Sequence, residues 1–236
     1  MPQLLPEAIA NVEPVQHSVC NNAVWAIGEI CVRCGDNPAP LEPFAASFLQ
    51  KLIGLLMGNG VVMGSAGGSG YRGVNIPGLA ENAAAAAGRL ANLNPNFVAA
   101  DLPRFLLGWC DGMAKVSDPT ERRDAYEGFI KAVYANPLGI QGAAANVSDA
   151  IASIVFALVS WHMPPQDDEA DGEHVGRLLN GEYNFQPFPQ HEAELGNKLV
   201  KLVRDIKTSV GDETWTKVQH QLPVNVRRLL REAYQL

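Results

Sequence analysis

Apolar residues recur at helical spacing along most of the chain, and the segment 18–34 shows this most clearly. At about 100° per residue, its apolar residues fall within an arc of roughly 120°, the width of face that a helix buries. They are Cys20, Ala23, Val24, Ile27, Ile30, Cys31 and Cys34. Trp25 lies roughly 160° from the centre of that arc, among polar residues that include Asn21 and Glu29. The largest apolar side chain of this helix is therefore predicted to face away from the core.

The same spacing, interrupted by proline and glycine, predicts helices along the rest of the chain, and strand patterns are nearly absent. The predicted helices cover residues 3–12, 41–57, 79–93, 97–116, 118–136, 142–161, 193–210, 213–221 and 224–234. They form pairs that recur at roughly 40 residues, a period typical of HEAT-type solenoids, in which each pair stacks on the next. The sequence therefore predicts an all-α, right-handed HEAT-repeat solenoid of four to five helix pairs over residues 1–236.

Two segments depart from the helical pattern. Residues 58–78 are rich in glycine and have few side chains that could pack, so they are predicted to form a flexible loop. No phosphate-binding glycine motif is present, which argues against a phosphate site there. Residues 162–192 contain the acidic run Asp167–Glu173 and the rigid Pro187-Phe188-Pro189. They are predicted to form a mobile insertion whose acidic run is solvated surface.

Composition and charge narrow the class of partner. The chain has 236 residues, 47% of them hydrophobic, and a formal net charge of −7. This charge argues against nucleic acid or an anionic membrane as the main partner and suits a basic polypeptide. The N-terminus lacks the pattern of a signal peptide, and no apolar run is long enough to span a membrane. These features predict an intracellular protein of a reducing compartment.

The residues that usually carry catalysis or bind metals are not grouped in the sequence. The four cysteines are best explained as small buried hydrophobic residues, because the Cys31-x-x-Cys34 pair has no second pair to complete a zinc site. The five histidines show no metal-ligand spacing, and no nucleophile elbow occurs. We therefore expect no enzyme activity, no metal and no cofactor.

The stretch from Val19 to Ile30, which includes Asn21-Asn22-x-x-Trp25-Ala-Ile-Gly-Glu29-Ile, resembles a motif of the transportins. These are karyopherin-β importins with HEAT-repeat solenoids. Further similarities follow in the order of that family: Glu81-Asn82-Ala83, Gly88-Arg89-Leu90, Trp109-Cys110, and Val210-Gly-Asp-Glu213. The resemblance is to the C-terminal part of the family and spans most of residues 17–236, apart from the two irregular segments.

The resemblance implies a nuclear import receptor that binds part of a proline-tyrosine (PY) type nuclear localisation signal on the concave surface formed by the second helix of each pair. It also implies shuttling between cytoplasm and nucleus through the nuclear pore. Ran GTPase and nucleoporins are expected partners of a full-length receptor. In the family, the site for the Pro-Tyr dipeptide and the Ran surface belong to earlier repeats.

Carried over position by position, the family's cargo-binding tryptophan is Trp25, with Asn21 as a polar neighbour one turn before it. Asn82 and Ala85, on the second helix of the next pair, are expected to complete one wall of the cargo site. His17 lies at the start of the helix that carries Trp25. The family often has aliphatic residues at the positions of Ala85 and His17, which implies a shallower or more polar pocket here.

Alternative roles remain for some of these residues and for the chain as a whole. Asn82 lies near the apolar stripe of its helix and could instead form a hydrogen bond between repeats. Glu29 could pair with a basic cargo residue or have a solvated or intramolecular role. Trp109, Trp161 and Trp215 are predicted to be core residues. The competing function is a HEAT scaffold that holds a stable protein complex without releasing cargo.

Overall fold

The structure, a computed structural model, describes residues 4–58, 78–163 and 186–236. Most of the predicted Gly-rich loop and most of the predicted insertion lie outside these residues. The described residues form ten α-helices: α1 (Leu4–Ala10), α2 (His17–Cys34), α3 (Glu42–Gly58), α4 (Leu79–Leu93), α5 (Asn96–Ala99), α6 (Leu102–Lys115), α7 (Pro119–Ala135), α8 (Val147–Val159), α9 (Ala193–Gln221) and α10 (Val224–Glu232). None of the helices in these ranges is long and apolar enough to cross a bilayer.

The helices pack in two layers, as a solenoid of helix pairs requires. Layer A contains the first helix of each pair, α1, α3, α6 and α8, and each of these contacts the next. Layer B contains the partner helices α2, α4, α7 and α9, which also contact one another in that order. The sequence prediction of an all-α HEAT-type array is therefore confirmed.

The helix boundaries differ from the sequence prediction at two places. The helix predicted over 97–116 is broken, so that α5 ends at Ala99 and α6 begins at Leu102. Pro103 lies in the first turn of α6, where its missing N–H costs least. The helix predicted from residue 142 begins only at Val147. Within α9, the predicted interruption is confirmed at Gly211, whose φ of 74° breaks the helical backbone.

Helix α4 lies at the centre of the array and is buried from Ala83 to Ala91. Its small residues allow neighbouring backbones to approach closely, and α7 approaches closest, with Gly128 against Gly88. On the layer A side, the Trp109 indole N–H donates a hydrogen bond of 3.0 Å to the Ala84 carbonyl. Trp109, Trp161 and Trp215 are all buried, which confirms their predicted place in the core.

The interval 162–192, predicted to be an insertion, begins and ends on the folded core. His162 is 1% exposed, and its Nδ1 donates to the Gln186 carbonyl over 2.8 Å. The Gln186 N–H donates in return to the His162 carbonyl over 3.0 Å. Phe188 packs edge-on against the His162 ring, with ring centroids 4.4 Å apart. His162 and Met163 at one end of the interval and Phe188 near the other therefore pack on the core, whereas most of residues 186–192 are exposed.

Because His162 is buried, we expect the protein to lose stability in mild acid. Burial, aided by the positive charge of Arg122 and opposed by the hydrogen bond to Gln186, lowers its pKa to about 4. Between pH 6.5 and 4 the folded state then binds fewer protons than the unfolded state, so the free energy of unfolding falls as the pH falls. We expect a loss of about 2 kcal/mol from this residue between pH 7 and pH 5.

Urea unfolding at pH 7, 6 and 5 measures this effect, with His162→Gln as the test variant. Glutamine does not titrate, so the variant should show a shallower decline of stability with acid whatever its stability at pH 7. His191, whose side chain is 80% exposed, supplies the control variant His191→Gln, which should decline like the wild type. Equal slopes for the wild type and His162→Gln would contradict the prediction.

Candidate functional site

Trp25 lies on the outward side of α2, as its position in the sequence predicts. The core side of this helix is formed by Cys20, Val24, Ile27 and Cys31, all buried, whereas the Trp25 side chain is 50% exposed. An indole this exposed keeps part of a large apolar ring in contact with solvent. The surface of layer B around Trp25 is therefore the candidate binding site.

Asn21 and Asn82 come together across the α2/α4 boundary. The Asn82 Nδ2 donates a hydrogen bond of 2.7 Å to Asn21 Oδ1, in a partly buried position. This contact matches the alternative in which Asn82 forms a hydrogen bond between repeats. Asn21 lies one turn before Trp25, so the pair places amide groups at the edge of the indole surface.

Two of the expected site residues are arranged differently. Ala85 was expected on the wall of the site, but it is only 2% exposed and offers no surface to a ligand. The reason is that α4 is packed against α2, α3, α6 and α7, which together cover it on most sides. His17 is exposed at the first position of α2, eight residues and therefore about 12 Å along the helix from Trp25.

Glu29 forms an ion pair inside the molecule, with a residue that sequence reasoning did not select as a site residue. Its Oε1 lies 2.9 Å from Nη1 of Arg89, and Arg89 is only 5% exposed. The same guanidinium lies 3.5 Å from Glu121 Oε1 and 3.3 Å from Asp124 Oδ2, both on α7. Arg89 thus joins three consecutive helices of layer B.

The sequence pattern does distinguish Arg89 from its neighbours on α4. It follows Asn82 by seven residues, which places both on one face of α4, and it is the only charged residue between positions 82 and 100. A single charge in an alanine-rich, buried helix needs partners, because a buried charge without them is costly. Sequence spacing alone could not identify those partners on α2 and α7.

The single positive charge of Arg89 balances only part of the negative charge of the three carboxylates around it. Burial raises the pKa of Glu121 above its usual value, although Arg89 opposes the shift. Burial also raises the pKa of Asp124, again against the influence of Arg89. The nearby Trp25 side chain also counteracts this rise in the pKa of Glu121, so the exposed indole lies close to the same cluster.

This arrangement suits binding better than catalysis. It combines a half-exposed indole, a pair of amides and three carboxylates that share one buried guanidinium. In the described ranges, no group of three His, Cys, Asp or Glu side chains could hold a metal ion. The four cysteines are free thiols, and three of them are buried, as expected for small hydrophobic residues.

Comparison with known proteins identifies similar chains, although no family model matches. Mouse (Mus musculus) Transportin-1 is 27% identical over 98% of this chain. Transportin-1 of Oryza sativa subsp. japonica is 31% identical over 76% of it, and Importin subunit beta-2 of Schizosaccharomyces pombe is 28% identical over 77%. The chain spans about a fifth of the length of these curated relatives, or 20%, 16% and 18% respectively.

Proposed function

We propose that this chain, a relative of the transportins, is part of a nuclear import receptor and binds a segment of a PY-type nuclear localisation signal at Trp25. The observation that carries the proposal is the half-exposed Trp25 on layer B, at the position where the family resemblance places a cargo-binding tryptophan. A large aromatic side chain left in solvent is the kind of residue that dominates the affinity of protein interfaces.

The surroundings of Trp25 support binding of an extended peptide. Three successive helices of layer B contribute side chains: Asn21 and Glu29 from α2, Asn82 and Arg89 from α4, and Glu121 from α7. A peptide that crosses these helices would meet amide groups, an apolar ring and carboxylates in turn. Paired amides can bind peptide backbone, whereas the indole and the carboxylates select side chains.

The function of the whole receptor is part of the same proposal. It would carry cargo through the nuclear pore, bind Ran GTPase and nucleoporins, and shuttle between cytoplasm and nucleus. The net charge of −7 favours basic peptide segments over nucleic acid or anionic membrane as ligands. A carrier of this kind performs no chemistry on its cargo, so the proposal includes no catalytic step.

Replacing Trp25 by alanine should weaken the binding of a fluorescent PY-type signal peptide by about thirtyfold, because a dominant interface residue contributes about 2 kcal/mol or more. The control variant is Leu138→Ala, which removes a 72% exposed apolar side chain that lies outside layer B. Fluorescence anisotropy gives Kd, and thermal melting monitored by circular dichroism shows whether both variants are folded.

The control variant should bind like the wild type. Equal Kd values for the wild type and Trp25→Ala would contradict the cargo-site proposal. Such a result would favour the other use of this fold, a scaffold that holds a stable complex together.

A further inference from the structure

Helix α10, which packs on α8, presents a basic face to solvent. Its buried face consists of three aliphatic residues: Val226, Leu229 and Leu230. The opposite face consists of four residues that follow one another at helical spacing: Val224, Arg227, Arg228 and Arg231. Val224 is 71% exposed and the Arg228 side chain 68% exposed. One apolar side chain and three guanidinium groups therefore share this outward face.

The arginines of this face are poorly neutralised within the molecule. The Nε of Arg228 lies 4.0 Å from Glu232 Oε2, which is a long contact at an exposed position. In the described part of the chain, Arg227 and Arg231 have no ion pair, and the Nε of Arg227 is buried without a hydrogen-bond acceptor. A guanidinium that has lost water on one side and has no counter-charge gains from an incoming carboxylate.

Arg204 of α9 adds a fourth guanidinium at the end of this face. Its Nε and Nη2 donate hydrogen bonds of 3.2 and 2.9 Å to the carbonyl of Tyr234, which follows Arg231 by three residues, or about one helical turn. Its other acceptor is the side-chain amide oxygen of Gln235. Both acceptors are neutral, so the positive charge of Arg204 adds to that of α10.

The charge of the chain as a whole decides which anionic ligand fits. Residues 193–236 contain eight lysines and arginines against five aspartates and glutamates, whereas residues 1–192 contain ten against twenty. A long polyanion or an anionic bilayer would extend beyond α10 and meet the repulsion of the acidic remainder. A short acidic peptide can stay within the basic face. The exposed Val224 at one end of that face favours a peptide that also carries an apolar side chain.

We propose that the outward face of α10 binds an acidic peptide segment of a partner protein. Carboxylates of the peptide pair with Arg227, Arg228 and Arg231, and an aliphatic side chain of the peptide packs on Val224. This surface belongs to α10, whereas the Trp25 surface belongs to layer B, and the proposal does not depend on the proposed function. The two surfaces also take ligands of opposite charge.

The test uses fluorescence anisotropy with a labelled peptide composed of glutamate and leucine. Wild-type protein should bind this peptide, and the double variant Arg228→Gln with Arg231→Gln should bind it about tenfold more weakly, because two charge pairs are lost. The control Lys217→Gln removes a 62% exposed cation of α9 and should retain the wild-type affinity. Trp25→Ala should also retain it, whatever its effect on a PY-type peptide.

Three outcomes would overturn the proposal. The first is no binding of the glutamate peptide, or equal binding of the same peptide with glutamine at every glutamate position. The second is an equal loss of affinity in Lys217→Gln, which would indicate general attraction to positive charge. The third is tighter binding of single-stranded DNA of the same length or of phosphatidylserine vesicles. Melting temperatures of the variants within a few degrees of the wild type show that they are folded.

Discussion

Replacing Gly128 by alanine is expected to destabilise the protein by about 3 kcal/mol or more, because the new methyl group has no space. A Cβ at this position would lie 1.8 Å from the Gly88 carbonyl oxygen and 2.5 Å from its carbonyl carbon. Both atoms belong to the backbone of α4, so no side-chain rotation relieves the contact. The helices α4 and α7 would have to separate, and the buried side chains between them would lose contact.

Gly54 offers a matched control in α3. A Cβ there would meet none of the described atoms within 4 Å, and the position is exposed. Gly54→Ala should therefore raise stability by up to about 1 kcal/mol, as alanine does in an open helix position. Urea unfolding monitored by circular dichroism compares the two variants. If Gly128→Ala were as stable as Gly54→Ala, the backbones of α4 and α7 would be far enough apart at Gly88 and Gly128 to accommodate a methyl group.

Replacing Arg89 by methionine should cost about 3 kcal/mol, because three carboxylates would lose their shared cation. Methionine keeps much of the aliphatic volume, so the loss reports mainly on charge. Arg104→Met is the control: Arg104 is 51% exposed and pairs with Asp101 over 2.6 Å at the surface. Such an exposed pair contributes less than about 1 kcal/mol.

The pH dependence distinguishes lost charge pairing from lost packing at Arg89. Burial already raises the folded-state pKa values of Glu121 and Asp124, and Arg89 offsets part of that rise. Without Arg89 they rise further, so the folded variant binds protons more readily than its unfolded state above pH 4.5. The stability deficit of Arg89→Met relative to the wild type should therefore be smaller at pH 5 than at pH 8. An equal deficit at both values would indicate lost packing.

The helical pairs could be predicted because a buried face leaves a periodic trace in the sequence, as the stripe from Cys20 to Cys31 shows. The continuous helix predicted over 97–116 missed the break before α6, although Pro103 marks it, since proline is tolerated in a first turn and not in a helix interior. The close contact of Gly128 with Gly88 was not predictable, because a glycine within a helical pattern does not reveal which backbone approaches it.

At the candidate site, too, the sequence predicted what depends on a single helix and not what depends on how neighbouring helices pack. Helical spacing alone places Trp25 outward, because its direction depends only on its own helix. Ala85 was misplaced because its exposure depends on how many helices flank α4. The ion pairs of Arg89 depend on the rotation of α2 and α7 about their axes, which sequence spacing does not fix.

The backbone contact between Gly88 and Gly128 has a consequence for how the Trp25 site adjusts to its ligand. With no clearance between them, α4 and α7 behave as one stiff block, so Arg89, Glu121 and Asp124 keep fixed positions relative to each other. The α2 side is looser: a Cβ at Gly28 would lie in ordinary contact, 3.4 Å from the Arg89 side chain and 3.6 Å from Ala86. We therefore expect the separation of Trp25 and Glu121 to respond more to the tilt of α2 than to movement of α7 against α4.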